Sequence, residues 1–228
     1  MLGWRQKRGR RIVWFDIQAN PERVTTVGNA ALVVPGAVEI EGGGELALSN
    51  RIAVWTPIRV KVGAYDNLQV SFNTEGFLVR QDLQRPAGVG LGLKLPLHGD
   101  HESPLPFVAA RLDIWSPLPA PMDGVARAQA EIVASRTWGN FGFAAAAGGD
   151  FAANGASGPM GGLALGIPEL GPVGAWVEAR YRSGLFYGGA SAAYTISREA
   201  VVDLGGGYRS DGALLVRTGF TRSFALPW

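Results

Sequence analysis

Apolar and polar residues alternate along most of this chain with a period of two, which is the pattern of a β-strand whose two faces meet different surroundings. Between residues 37 and 48, for example, three glutamates share one parity and four large aliphatic side chains take the other. The same alternation recurs over 58–62, 68–75, 89–97, 107–115, 125–135, 140–151, 162–167, 173–182, 185–196, 200–209 and 213–224. The pattern therefore predicts an all-β protein of about twelve strands.

Short turn signals separate these strands. Gly, Asn, Asp and Pro cluster at 65–67, 138–140, 171–172 and 211–212, among other sites. Links of hairpin length predict that consecutive strands pair antiparallel in an up-and-down meander, which removes its exposed edges by closing into a barrel. Pro57 has no amide hydrogen to give to a sheet, so we predict that it marks the start or a bulge of the second strand.

Alternation alone does not say which face of the barrel points outward. A soluble, lipocalin-like barrel encloses its apolar residues, whereas a transmembrane barrel exposes them to lipid and encloses the polar ones. About twelve strands enclose more space than side chains alone fill, so an apolar interior would leave a large cavity. The last strand also ends on alternating aromatic and apolar residues, which are Phe220, Phe224, Leu226 and Trp228. We therefore predict an antiparallel transmembrane β-barrel, with a soluble ligand-binding barrel as the alternative.

Composition agrees with this fold and limits the function. The 228 residues include 33 Gly, which lets a charged face curve inward, and no Cys, which excludes disulfides and thiolate chemistry. Basic residues outnumber acidic ones by only 21 to 19, and five of the bases lie within the first eleven residues. The positive excess belongs to this terminal segment rather than to the body of the chain, so no nucleic-acid partner is expected.

The N-terminal segment, residues 1–23, is predicted to be separate from a barrel over residues 24–228. Basic and aromatic residues alternate over 4–18, which suits a membrane surface, a plug in the barrel, contact with a protein partner or a disordered tail. The apolar run over 12–15 is too short for the core of a signal peptide, so no intact signal peptide is expected. No stretch is regular and apolar enough to predict a transmembrane helix.

Five segments between residues 24 and 224 resemble, in their order and spacing, the outer-membrane barrel family described as transporters of the "MetA-pathway of phenol degradation" type. They are RVTTVGNAALVVPGAVEIEGG, PIRVKVGAYDNLQVSF, GLGLKLPL, VGAWVEARYR and YTISREAVVDLGGGYRSDGALLVRTGFTRSF. The resemblance implies a barrel in the outer membrane of a Gram-negative bacterium, with periplasmic termini, that passes small solutes. Arg222 departs from the pattern, because it falls on the lipid-facing parity and must lie near an interface to reach water.

With this orientation, the charged residues of the polar parity are predicted to line the lumen. They are Glu39, Glu41, Glu45, Arg59, Lys61, Glu75, Lys94, Arg111, Asp113, Arg127, Glu131, Asp150, Glu178, Arg180, Arg182, Asp203 and Arg217. In one interpretation they form ion-pair networks that hold a narrow barrel rigid, and in the other they form a charged constriction in a small aqueous pore. The predicted function is a channel or transporter for small solutes. The alternative is a structural or assembly barrel with an occluded lumen that serves a larger complex.

Other candidate sites are weaker. A route for hydrophobic solutes would need an apolar lumen patch, and the aromatic residues with the right parity for one are Phe107, Trp115 and Trp176. His98, Asp100, His101 and Glu102 share one loop and match a polar turn better than a metal or acid–base site. We predict no catalytic residue, metal site or cofactor, and no enzymatic activity. The expected partners are the outer-membrane lipid bilayer, a small solute and, through residues 1–23, a protein.

Overall fold

The structure, a computed structural model, describes residues 29–50, 52–65, 67–74, 77–80, 83–86, 88–99, 105–116, 126–153 and 157–226. Its strand segments are β1 (Ala37–Leu48), β2 (Ile52–Trp55), β3 (Ile58–Tyr65), β4 (Leu68–Thr74), β5 (Phe77–Arg80), β6 (Leu83–Pro86), β7 (Val89–His98), β8 (Phe107–Ser116), β9 (Arg127–Trp138), β10 (Phe141–Ala152), β11 (Gly158–Leu170), β12 (Val173–Arg182), β13 (Leu185–Ser197), β14 (Ala200–Arg209) and β15 (Leu214–Ala225). This part of the chain contains no helix that is long and apolar enough to cross a membrane.

The strand segments form one closed antiparallel sheet. β1 pairs with β15 along its whole length, from Ala37 opposite Ala225 to Leu48 opposite Leu214. β2 and β3 both pair with β1, so together they make one interrupted strand of the barrel. In the same way, β4 and β5 make one interrupted strand, and β6 and β7 make the next one. Counted so, the described segments form a twelve-stranded up-and-down barrel, which confirms the predicted fold class.

Alternate residues of each strand face opposite sides of this wall. In β15, Phe220 and Phe224 are each 40% exposed, whereas Thr221 and Ser223 between them are buried. Because the wall is a single sheet, a side chain in the middle of a strand is buried only if it points inside the barrel. Large apolar side chains therefore cover the outside and charged ones are enclosed, which is the arrangement of a transmembrane barrel and not of a soluble one.

Most strand boundaries agree with the sequence pattern. β1 covers the predicted residues 37–48, and β3 begins at Ile58, directly after Pro57. The Pro57 carbonyl accepts a hydrogen bond from the Gly43 amide at 3.2 Å, so the interrupted strand stays attached to β1 at the break. The pattern did not predict β2, β5 and β6, which extend three neighbouring strands. Each has only four residues, too few to display a period.

The two rims of the barrel differ in their connections. β1 begins and β15 ends at one rim, which we call the terminal rim, and three of its turns consist of two residues each, at 139–140, 171–172 and 198–199. At the opposite rim, the loop rim, the connections include the longer segments 117–126 and 153–157. The terminal rim also contains the eight-residue connection 99–106, and its assignment to the periplasmic side is what the family resemblance implies.

Residues 29–36, ahead of β1, cross the inside of the barrel at the terminal rim, and we call them the strap. Ala30 and Val33 in the strap are only 2% and 5% exposed. The strap is bonded in turn to β3, β4, β7 and β9, through Gly36 N to Gly63 O at 3.0 Å, Val33 N to Gln69 Oε1 at 2.9 Å, Lys94 Nζ to Ala31 O at 2.6 Å and Ala30 N to Ser135 Oγ at 2.8 Å. The predicted boundary at residue 24 and the basic segment 1–23 lie outside the described residues.

Candidate functional site in the barrel interior

The predicted lumen residues fall into two groups by exposure. Ten are buried, namely Glu39, Glu41, Lys61, Lys94, Asp113, Glu131, Asp150, Glu178, Asp203 and Arg217. Six are partly exposed, namely Glu45, Arg59, Arg111, Arg127, Arg180 and Arg182, and Glu75 lies outside the described residues. Buried charges are stable only when they are paired or hydrogen-bonded, so the ten buried residues need ion-pair or hydrogen-bond partners inside the barrel.

Above the strap, Lys61 on β3 lies between two glutamates of β1. Its ammonium contacts Glu39 and lies 2.9 Å from Glu41 Oε1, and all three side chains are essentially inaccessible. Ser223 Oγ on β15 donates to Glu39 Oε2 at 2.8 Å, across the seam where the barrel closes. The ammonium of Lys61 thus lies against two carboxylates, and these three buried side chains are tightly packed.

In the middle of the barrel, charged side chains are connected around the wall from β3 to β9. Arg59 Nε donates to Asn73 Oδ1 at 2.7 Å, and Asn73 Nδ2 donates to Asp113 Oδ1 at 2.9 Å. Asp113 also accepts from Arg111 Nε at 2.5 Å, and Arg111 Nη1 lies 3.4 Å from Glu131 Oε1. Asn73 thus links Arg59 to the Arg111–Asp113 pair, which the sequence pattern of charges alone did not predict.

On the other side of the lumen, Glu178 on β12 holds Arg217 on β15. The Arg217 guanidinium contacts Glu178 Oε1, and Tyr187 Oη on β13 donates to the same oxygen at 3.2 Å. Arg217 also lies over the Tyr187 ring, with its Cζ 5.5 Å from the ring centroid. Arg217 therefore reaches past β14 and β13, where the inward residue Gly205 takes little space.

Near the loop rim, Asp150 on β10 holds two arginines, and we call this group, together with Gln129, the mouth cluster. Arg127 on β9 donates from Nε to Asp150 Oδ1 at 2.6 Å and from Nη2 to Asp150 Oδ2 at 2.8 Å. Arg182 on β12 donates from Nε to Asp150 Oδ2 at 2.8 Å. Arg182 crosses β11 to do so, and the β11 residue opposite Asp150 is Gly158. The Gln129 oxygen, in the amide orientation that suits its surroundings, accepts from both arginines.

Apolar residues also line part of the interior. Phe107 packs with the buried residues Ala109 and Val133 near the strap, and Trp176 packs with Ala144 and Ala164. Ala146 touches both groups, so they form one continuous apolar surface in the described part of the lumen. Trp115 lies apart from it, against Gly90 on β7. The three aromatic residues that the sequence placed inside are therefore inside, and two of them share a surface.

Several interior contacts involve residues that sequence reasoning passed over. Gln69, Asn73, Gln129 and Ser223 are uncharged, buried and hydrogen-bonded to the strap or to the ion pairs. The signal was present, because each lies on the same parity as the charged residues of its strand. His98 is exposed at the end of β7, and the rest of its loop, including His101, is outside the described residues. Among the described residues, no group of three or more His, Asp and Glu is arranged to hold a metal ion.

No protein-family model and no curated protein matches this chain in sequence. Solved structures match it in fold. The "KdgM porin in complex with disordered oligogalacturonate" gives a TM-score of 0.62 at 11% identity over 82% of this chain and 99% of that one. The COG4313 outer membrane channel from Pseudomonas putida F1 gives 0.62 at 8% identity over 94% of this chain and 100% of that one. The KdgM porin alone gives 0.61 at 10% identity, with coverage of 82% and 99%.

These identities are low, so the likeness is one of fold. The chain has the fold of outer-membrane β-barrel channels, with an apolar exterior of the kind that faces lipid in such barrels. The narrower family that the sequence resembles is not confirmed by any of these matches.

Proposed function

We propose that this protein is an outer-membrane channel that passes small solutes through a narrow lumen lined by the seventeen predicted charged residues. The observation that carries the proposal is the inverted sidedness of the wall, with charged side chains enclosed in a closed barrel and apolar ones facing outward. A channel needs polar groups that replace water around a passing solute, and the charged side chains of the interior provide such groups.

The fold likeness supports this proposal, because the matched structures are a porin and an outer-membrane channel. The segments that resemble the phenol-degradation family suggest a narrower membership, which stays a proposal. Solute selection would then depend on where the lumen is tightest. We infer that the strap and the buried group of Lys61, Glu39 and Glu41, which both lie toward the terminal rim, form the tightest part.

The second candidate is a structural or assembly barrel whose lumen is occluded. It is favoured by one specific observation, the complete burial of Lys61, Glu39 and Glu41 next to a strap that crosses the terminal rim. In this proposal the ion pairs and the strap close the lumen, and residues 1–23 contact a protein partner.

Electrical recording separates the two candidates. The purified full-length barrel, inserted into planar bilayers, is expected to produce discrete conductance steps if it is a channel. Liposomes that contain the barrel should also swell when a small permeant solute replaces an impermeant one outside. A correctly folded barrel, shown by its heat-modifiable migration on a gel, that gives neither current nor swelling would contradict the channel and support the occluded barrel.

A further inference from the structure

The mouth cluster contains two cations and one anion. Arg127 and Arg182 share the single carboxylate of Asp150, which leaves one positive charge in excess. The mouth cluster, which lies near the loop rim, therefore has an excess of positive charge.

The two arginines of the mouth cluster are also accessible. The Arg127 and Arg182 side chains are 28% and 34% exposed, whereas the Asp150 side chain that holds them is 4% exposed. The carboxylate is thus the buried part of the group, and the guanidinium groups form its surface toward the lumen. A solute that enters from the loop rim meets the cations and not the anion.

Each guanidinium retains hydrogen-bond donors. A guanidinium has five N–H groups, and the Nε and Nη2 atoms of Arg127 and Arg182 are engaged by Asp150 and Gln129. The Nη1 atoms have no acceptor in the part of the chain that the structure describes. Asp150 and Gln129 hold the planar groups in place, so little further ordering is needed when a ligand binds.

From this geometry we propose that the mouth cluster is a binding site for the carboxylate group of small organic anions, with Arg127 and Arg182 as the binding residues and Asp150 and Gln129 as positioning residues. Guanidinium N–H groups match carboxylate oxygens in geometry and charge, and such charge-assisted bonds are stronger than neutral ones. The inference deepens the proposed function, on which it rests, since it names the class of solute that the channel admits at its outer mouth.

Binding is measured on the folded full-length barrel in detergent by saturation-transfer NMR, with butyrate as the probe and butyramide as its neutral analogue. Butyrate is expected to bind and butyramide is not. Arg127→Gln or Arg182→Gln should each raise the butyrate Kd by roughly 10- to 100-fold, the value of a charge-assisted hydrogen bond. Arg127→Lys keeps the charge but not the forked geometry and should give an intermediate Kd.

Arg222→Gln is the matched control, because it removes the same chemical group from the outer surface of β15, where Arg222 lies over Phe224. It should leave the butyrate Kd unchanged. Heat-modifiable migration establishes that each variant is folded. The proposal is overturned if butyramide binds as well as butyrate, if chloride at equal concentration displaces butyrate fully, or if folded Arg127→Gln and Arg182→Gln bind butyrate as the parent does.

The binding assay does not depend on conductance, so the two proposals fail separately. A barrel that conducts but does not bind butyrate would refute the carboxylate site and leave the channel standing. A barrel that binds butyrate through Arg127 but passes no current would refute the channel and leave the site standing.

Discussion

The Lys61→Met substitution tests whether water is excluded from Lys61, Glu39 and Glu41 in the lumen next to the strap. Lys61 is 0% exposed and its ammonium contacts Glu39 and Glu41, which are also 0% exposed. The substitution keeps most of the side-chain volume but leaves two buried carboxylates without this cation. Breaking a buried ion pair by removing one partner costs about 3–5 kcal/mol, because the buried charge that remains loses the compensation of its partner. We expect a loss of unfolding free energy in this range.

The assay is reversible urea unfolding of the barrel in lipid vesicles, followed by tryptophan fluorescence. Arg209→Met is the matched control, because Arg209 pairs with Asp211 at the loop rim with both side chains about a third exposed. An exposed pair contributes about 0–1 kcal/mol, so this control should change stability little. Adding Glu39→Gln and Glu41→Gln to Lys61→Met should restore most of the loss, since neutral groups do not need the cation. If Lys61→Met costs no more than Arg209→Met, water reaches the two glutamates and the reasoning is refuted.

Three further variants test other parts of the structure. Gln69→Leu combined with Lys94→Met removes two of the strap's bonds to the wall and should raise single-channel conductance, and an unchanged conductance would mean that the strap does not narrow the path. Leu204→Arg places a charge on the lipid side at the middle of β14 and should lower unfolding free energy by about 2–4 kcal/mol in vesicles; no loss would contradict the assigned orientation. The pKa of Asp211 lies below its usual 3.8 because Arg209 donates to it. The parent should therefore be more stable than Asp211→Asn above pH 4, and this difference in unfolding free energy should vanish as the pH falls below 4. A difference that persists in acid would contradict a stabilising Arg209–Asp211 pair.

The sequence predicted the barrel because the alternation of polar and apolar residues within each strand shows which residues share a face. The parity of Glu39 and Glu41 against Val38 and Ile40 is enough to place one face inside, and it continues with little change through β15. The strap was not predicted as an interior element. Its residues, NAALVVPG, are mostly apolar without alternation, so their pattern contains no information about which surface they contact.

The sequence also did not predict which charged residues form ion pairs with each other inside the lumen. Parity placed Asp150, Arg127 and Arg182 on the same face, but β11 separates β10 from β12, and the pairing of Arg182 with Asp150 depends on the space above that strand. Likewise Arg217 pairs with Glu178 and not with Glu45, the residue directly opposite it in the register. Such choices depend on side-chain length and on the curvature of the closed wall, which appear only in three dimensions.

The seam between β1 and β15 has a consequence for how the barrel is made. Every other pair of full strands is a neighbour in the chain, whereas Glu39 and Ser223, which bond across the seam, are 184 residues apart. Loop closure over that distance carries the largest entropy cost of any contact in the wall, so hairpins form early and the seam forms last. Before that step the protein is an open sheet with two unpaired edges, β1 and β15. Its aggregation is therefore governed by the lifetime of that open sheet more than by the stability of the finished barrel.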